Sequence, residues 1–262
     1  MHATERESLI LAAMEPAGFV SYRALEAQFS ASPATIRRDL ARKVEAGLIV
    51  RVHGGAKRLE RDESATDNHP LRLTGTPFDQ AIKLHLGQKQ AIGRAAAALV
   101  THGEGIMIDG GTTTFQMCPY LDGLDCRVLT NSLHIVSALL GQPGTRIQVP
   151  SGSLFREQNI ILATAGEDSM PRFHAPKLFM GAAAVGPQGV MRADVILVAA
   201  ERRLIDRAEQ VILLVDSSKF ASSSGAIVCG LDQVDVLVTD AGIPPAMAEM
   251  VEAAGVTLVV AG

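Results

Sequence analysis

Cysteine is scarce in this chain. Cys118, Cys126 and Cys229 are the only three; they lie far apart, are odd in number and show no CxxC spacing, which argues against both a disulfide framework and a zinc site. Long apolar runs are missing as well. The N-terminal stretch MHATERESLILAAMEP sets charge in front of a short amphipathic run, with no extended apolar core and no small-residue cleavage site. Neither a signal peptide nor a membrane anchor is expected from it, and a reducing cytoplasm is the expected location. No repeat of fixed period and no low-complexity tract is present. His69 and His85 have no second ligand at a useful spacing, so no metal is expected, and no cofactor.

Charge of one sign is lacking overall, the net value being only -4, but its distribution is uneven. Residues 32–58 hold seven basic side chains (Arg37, Arg38, Arg42, Lys43, Arg51, Lys57, Arg58) against Asp39 and Glu45, whereas residues 61–262 hold 15 basic and 21 acidic groups. A small basic module on an acidic body is the footprint of a phosphate-contacting domain, although a solvated face of mixed charge remains an alternative on charge alone.

What is present begins with three short helices. Ile10, Leu11 and Met14 fall near helical spacing before Pro16 and Gly18 stop the segment. Ser21 is placed to cap a second helix carrying Leu25 and Phe29, and a tight SASP turn follows. Ser32 as N-cap with Pro33 at the first position opens a third helix, on which Ile36, Leu40 and Val44 recur every four residues until Gly47. Leu48–Val52 and Ala56–Leu59, joined through His53-Gly54-Gly55, read as a hairpin. Helices followed by a hairpin make a winged helix-turn-helix, and periodicity alone leaves a generic helical mini-domain open.

At 262 residues the length suggests about two domains. The division expected is a winged helix-turn-helix at 1–59, a polar linker at 60–87 and an α/β domain at 88–262. In the last, short apolar runs (GIMID, RVLT, RIQV, KLFM, QVILLV, VDVLV, VTLVV) alternate with helical stretches, the pattern of a mostly parallel sheet covered on both faces.

Two sets of residues carry chemistry. In SPATIRRDL, Arg37 and Arg38 sit on the helix that faces a major groove in such a motif. Arginine pairs with guanine in bidentate fashion, and Ser32 or Thr35 reaches phosphate or a base edge. Adjacent residues point about 100° apart, so one arginine reads bases while the other meets the backbone. Tyr22, His53 and Lys57 complete the candidate DNA surface, a merely solvated wing being the alternative. In the larger domain, Asp109-Gly110-Gly111-Thr112-Thr113-Thr114 ends a strand and opens a helix. Its small residues let a ligand approach backbone N–H groups, and its hydroxyls offer donors, although such a turn also serves as a plain connection. Asn131, Gly152 and Lys219 follow other strands, and the carboxyl edge of a parallel sheet is where ligands bind. Lys219 is a point charge for a phosphate and Asp216 or Asp109 an acceptor for sugar hydroxyls, against an exposed loop lysine and a turn cap.

Taken in order, Arg6, Ile10, Met14, Ser32, Thr35, Ile36, Arg37, Arg38, Asp39 and Leu40 match the helix-turn-helix signature of the DeoR family. The wing VHGGAKRL and the segments DGGTTT, LTNS, GSLF, KLFMGAAAV and DSSKF extend the resemblance over nearly the whole chain. It implies a homo-oligomeric, operator-binding repressor of carbohydrate catabolism, with a sensor domain similar in fold to ribose-phosphate isomerases and glucosamine-phosphate deaminases and controlled by a phosphorylated metabolite. Two departures stand out: Asp79 and Gln80, not arginine, follow Phe78, and GPQGVMRADVILVAAERRL is more apolar than usual. The rivals are a sugar-phosphate isomerase or deaminase fused to a DNA-binding module, for which no paired acid and base is evident, and a scaffold with a vestigial pocket.

Overall fold

The computed structural model describes residues 76–162, 171, 173–221 and 225–262 throughout. Of the first 75 residues it describes three strands and the helical positions Leu25, Thr35, Ile36 and Leu40. The chain divides into two compact units, Met1–Pro70 and Leu71–Gly262.

In the first unit, β1 (Phe19–Ser21), β2 (Ile49–Val52) and β3 (Gly55–Arg58) form an antiparallel sheet in the order β1-β3-β2. The expected wing is the β2–β3 hairpin, with Ile49 opposite Arg58 and Val52 opposite Gly55. β1 was not legible: Phe19 and Val20 are too short a pair to show alternation, yet they align with Lys57 and Ala56. Val20, Leu25, Ile36, Leu40 and Ala56 are buried, so the i, i+4 stripe expected of the third helix does face a core. Phe29 and Val44 lie outside the described residues.

The second unit begins inside the segment read as linker, where α1 (Phe78–Ala81) and α2 (Leu86–Ala97) start. Phe78 anchors this stretch. Its ring stacks on His134 at 3.7 Å and meets Phe115 edge-on at 5.6 Å, contacts that a polar-linker reading could not foresee. Seven parallel strands follow: β4 (Gly105–Ile108), β5 (Arg127–Thr130), β6 (Arg146–Gln148), β9 (Ala175–Met180), β12 (Ala208–Leu214), β14 (Val236–Asp240) and β15 (Thr257–Ala261). Their spatial order is β15-β14-β12-β9-β4-β5-β6.

Side chains alternate between the two faces, as a strand's twofold period requires. Ile106, Ile108, Phe179, Ile212, Leu214, Val236 and Val238 meet α2 and α3 (Leu133–Leu139) on one face. Met107, Leu178, Met180, Val211, Leu213 and Leu237 meet α4 (Val195–Ile205) and α5 (Pro245–Ala253) on the other. α2 packs so tightly beside the 3₁₀ segment Thr114–Tyr120 that a Cβ at Gly93 would stand 2.5 Å from the Gln116 backbone. Two small antiparallel additions, of whose strands only AIVC reads as an apolar run in the sequence, stand apart from the main sheet. They are the hairpin β7 (Ser153–Phe155) with β8 (Ile160–Leu162), and the sheet β10 (Ala184–Gly186), β11 (Gly189–Arg192), β13 (Ala226–Cys229). The three cysteines are free and buried, and burial pushes the Cys118 thiol up to about 12, which keeps it protonated and unreactive.

Candidate functional site

Strand order reverses between β4 and β9: from β4 the chain proceeds to β5 and β6 on one side, then restarts at β9 and proceeds through β12, β14 and β15 on the other. At such a switch point the loops leaving the two central strands part in opposite directions and open a crevice at the carboxyl edge. The loop after β4 is Asp109–Thr114, and the residues after β9, Gly181-Ala182-Ala183, are small. The β12 loop lies two strand spacings from the β4 loop, about 10 Å.

Asp109 is the hub. It is 3% exposed, and its Oδ1 accepts from Asn131 Nδ2 at 3.3 Å while Asn131 Oδ1 accepts from the Gly110 N–H at 2.9 Å. One asparagine thus ties the β5 loop to both the side chain and the backbone of the β4 loop. A Cβ on Gly110 would approach Ile160 Cγ2 to 2.8 Å, so glycine is required by the closeness of β8 there. Thr114 turns its hydroxyl back onto the carbonyls of Asp109 and Gly111, at 2.8 and 3.0 Å; it braces the loop. Thr113 is buried, and Thr112 and Gly111 are half-buried. Gly152 is exposed at the entry to β7; the site is touched instead by β8, where Ile161 N–H donates to the Asn131 carbonyl at 2.8 Å.

Two residues that sequence reasoning passed over complete the hub. Arg192, at the end of β11, donates from Nη2 to Asp109 Oδ2 at 2.7 Å, and its Nε lies 2.5 Å from Glu201 Oε1 on α4. Glu201 is 2% exposed. Burial pushes its carboxyl up to about 8; Arg192 opposes that rise and the Asp109 charge adds to it.

A second group gathers after β12. Asp216 is 1% exposed and its Oδ1 accepts from the Ser218 N–H and hydroxyl. Asp240 accepts from Ser217 N–H at 2.7 Å and from its hydroxyl at 2.9 Å. The hydrogen bonds of Ser217 and Gly242 overcome the effect of burial and hold Asp240 below the usual carboxylate range. Lys219 is half-buried on this braced turn. A buried lysine joins it: Lys89, 3% exposed in the first turn of α2, donates to the Ala81 carbonyl at 2.6 Å. Burial lowers its pKa, the Asp216 charge opposing and the Lys219 charge adding to that fall, so the two ammonium groups share one electrostatic neighbourhood.

The structure therefore brings Asp109, Gly110, Thr114 and Asn131 together and sets Lys219 beside Asp216 and Lys89. Of the candidate DNA contacts, Thr35 is helical and half-buried, and Lys57 lies in β3. Tyr22, Ser32, Arg37, Arg38 and His53 fall outside the described residues. Among the described residues no group of three His, Cys, Asp or Glu is placed to hold a metal ion, and no helix is long and apolar enough to cross a membrane.

Known proteins carry the same two-part organisation. Residues 6–62 match the DeoR-like helix-turn-helix domain and residues 84–241 the DeoR C terminal sensor domain. The chain is 29% identical over 261 residues to a putative aga operon transcriptional repressor of Escherichia coli O157:H7, covering 99% of this chain and 94% of that one. It is 27% identical over 259 residues to the HTH-type transcriptional regulator UlaR of Escherichia coli strain K12/DH10B, covering 98% and 99%. Among solved structures, ribose 5-phosphate isomerase A of Methanocaldococcus jannaschii aligns at a TM-score of 0.36 and 15% identity over 50% of this chain and 53% of that one. With both family domains present in order and the relatives matched end to end, the chain belongs to the DeoR family of helix-turn-helix transcriptional regulators.

Proposed function

We propose that this regulator represses a carbohydrate-catabolism operon and is controlled by a phosphorylated sugar, or a related phosphorylated metabolite, bound at the carboxyl edge of the seven-stranded sheet. The observation that supports this most is the pair of braced groups flanking the switch point: the Gly110–Thr114 loop held by Asp109 and Asn131, suited to hydroxyls, and half-buried Lys219 on the other side, suited to a phosphate, with the charge of buried Lys89 adding to its field. On this reading the backbone N–H groups of Gly111, Thr112 and Thr113 complete the cradle. Ser32, Thr35, Arg37, Arg38 and Lys57, with Tyr22 and His53, meet operator DNA. The protein acts in the cytoplasm as a homo-oligomer, and exposed Leu140, Val195, Ile227 and Val260 give it apolar surface to share.

A catalytic reading needs a carboxylate open to substrate. Glu201 has the raised pKa of an acid–base group but is 2% exposed and committed to Arg192, so it serves the protein. The test is a thermal-shift screen of sugar phosphates on the full chain, followed by operator binding with each hit. Effector at about a hundred times its Kd should stabilise the protein by about 2.7 kcal/mol and change operator affinity. A hit that is turned over, or no hit among pentose, hexose and hexosamine phosphates, would overturn the proposal.

A further inference from the structure

Arg192 and Glu201 come from the accessory sheet and from α4, which lie 83 and 92 residues beyond Asp109 in the chain, yet both end at the hub. The path of contacts is continuous. Glu201 Oε1 meets Arg192 Nε at 2.5 Å, Arg192 Nη2 meets Asp109 Oδ2 at 2.7 Å, Asp109 Oδ1 meets Asn131 at 3.3 Å, and Asn131 meets the Gly110 N–H at 2.9 Å. One guanidinium therefore serves two carboxylates in a space where Asp109 and Glu201 are 3% and 2% exposed. Two buried anions on one cation leave a net negative charge that the protein interior disfavours, and a proton held by one of the acids removes it.

We propose that Arg192 and Glu201 are positioning residues for the effector, holding Asp109 and the Gly110–Thr114 loop in binding geometry while Glu201 carries its proton. The inference rests on the effector site proposed above. With Glu201 neutral, the guanidinium belongs to Asp109 and the loop is fixed. Once Glu201 ionises it competes for the same guanidinium, and the added charge lies under the crevice that receives the phosphate. Both consequences weaken binding. Glu201 is the acid of the pair that holds the proton, because burial raises its pKa to about 8.

Among the described residues, the groups that face Glu201 from the elements packed against α4 are few, and β12 adds only the apolar Val211 and Leu213 to that core. β11 contributes Arg192. β13 contributes the Cys229 thiol, which burial first and Glu201 second push up to about 11, so it stays neutral through this range. Asp109 approaches from the β4 loop, and β7 and β8 contribute the apolar Phe155, Ile160 and Leu162.

The test uses the full-length protein and whichever of ribose 5-phosphate and glucose 6-phosphate binds more tightly, titrated at about pH 7 and about pH 9, where these phosphate monoesters are largely dianions. Wild type should lose affinity by about tenfold across that interval, as expected when an added buried charge disfavours an anionic ligand. Glu201→Gln, neutral at every pH, should match wild type at the lower pH to within about twofold and keep that Kd at the higher one, in line with removal of the titrating group. Arg192→Lys keeps a charge but lacks the rigid fork whose Nη2 and Nε reach Asp109 and Glu201 from separate atoms, and should bind weakly at both. Equal pH dependence in wild type and Glu201→Gln would overturn the inference, as would wild-type affinity in Arg192→Lys. If Lys219→Ala loses the probe while both of those variants behave as wild type, the effector site stands and only this inference falls. If wild type binds no probe, both fall. Melting temperatures of the unliganded variants separate a lost fold from a lost position.

Discussion

The two edges of the seven-stranded sheet use charge in opposite ways. At the carboxyl edge Asp109, Asn131, Asp216 and Asp240 are all buried and each is held by named hydrogen bonds. At the amino edge Arg127 and Arg146, exposed neighbours on β5 and β6, share with Asp125 and Gly103 a hollow of about 460 Å³. There His102 reaches Asp125 at 3.1 Å with both side chains more than half exposed. The hollow has volume and cations, but its charged lining residues are exposed and screened by water. The crevice has buried polar groups whose positions are fixed before a ligand arrives, which lets a site discriminate at low entropic cost.

That contrast can be broken first through Arg192. Removing it in Arg192→Leu leaves the buried Asp109 carboxylate without its cation and Glu201 without its hydrogen-bond partner, and should cost about 3–5 kcal/mol in chemical denaturation. Arg146→Leu should change stability by no more than about 0.5 kcal/mol. Similar losses at both would show that the edges do not differ in kind.

Next comes the pH dependence of stability. Glu201 has a folded-state pKa raised to about 8 from an ordinary 4.5, so between those values the folded chain binds more protons than the unfolded one. Stability therefore falls as pH rises through that window, by up to about 1.4 kcal/mol per unit from this group. Glu201→Gln should flatten the slope in urea titrations at several pH values. A slope unchanged by the substitution would mean that Glu201 is ionised in the folded protein throughout.

A smaller effect sharpens the comparison in steric terms. Gly110→Ala must push a Cβ against Ile160, where the gap is 2.8 Å, and should cost about 1–3 kcal/mol by overpacking. A fully stable variant would show that the hub loop is looser than its hydrogen bonds imply.

Much of this was legible in the chain. The apolar runs at 105–108, 127–130, 175–180, 211–214 and 236–240 are strands because they are short, bounded by turn residues and interleaved with helical periods, a pattern that depends only on near neighbours. Asp109, Asn131 and Lys219 became candidates for a related reason: the first two directly follow such a run, and Lys219 lies five residues past the end of one. Arg192 and Glu201 were not. They sit in a stretch that stands out only as apolar, and what gives them meaning is a contact with a residue more than 80 positions away. The one local signal was a lone glutamate within VILVAAERRL, on a helix whose Leu197, Ala200 and Leu204 are buried. Lys89 was hidden in the same way, its burial arising from the α1 segment folding over it. The small strands β7, β8, β10 and β11 are three or four residues long, below the length at which alternation can be read.

An effector bound at the carboxyl edge, as proposed, controls DNA binding through a coupling of about 1–3 kcal/mol. The most direct measurement is operator affinity, on a site selected from random DNA, with and without the sugar phosphate that stabilises the protein. It is made for wild type, Lys219→Ala and the Arg127→Ala/Arg146→Ala pair. Wild type and the amino-edge pair should respond alike to the sugar phosphate, while Lys219→Ala binds the operator normally and ignores the effector. A response retained by Lys219→Ala and abolished in the amino-edge pair would contradict the account.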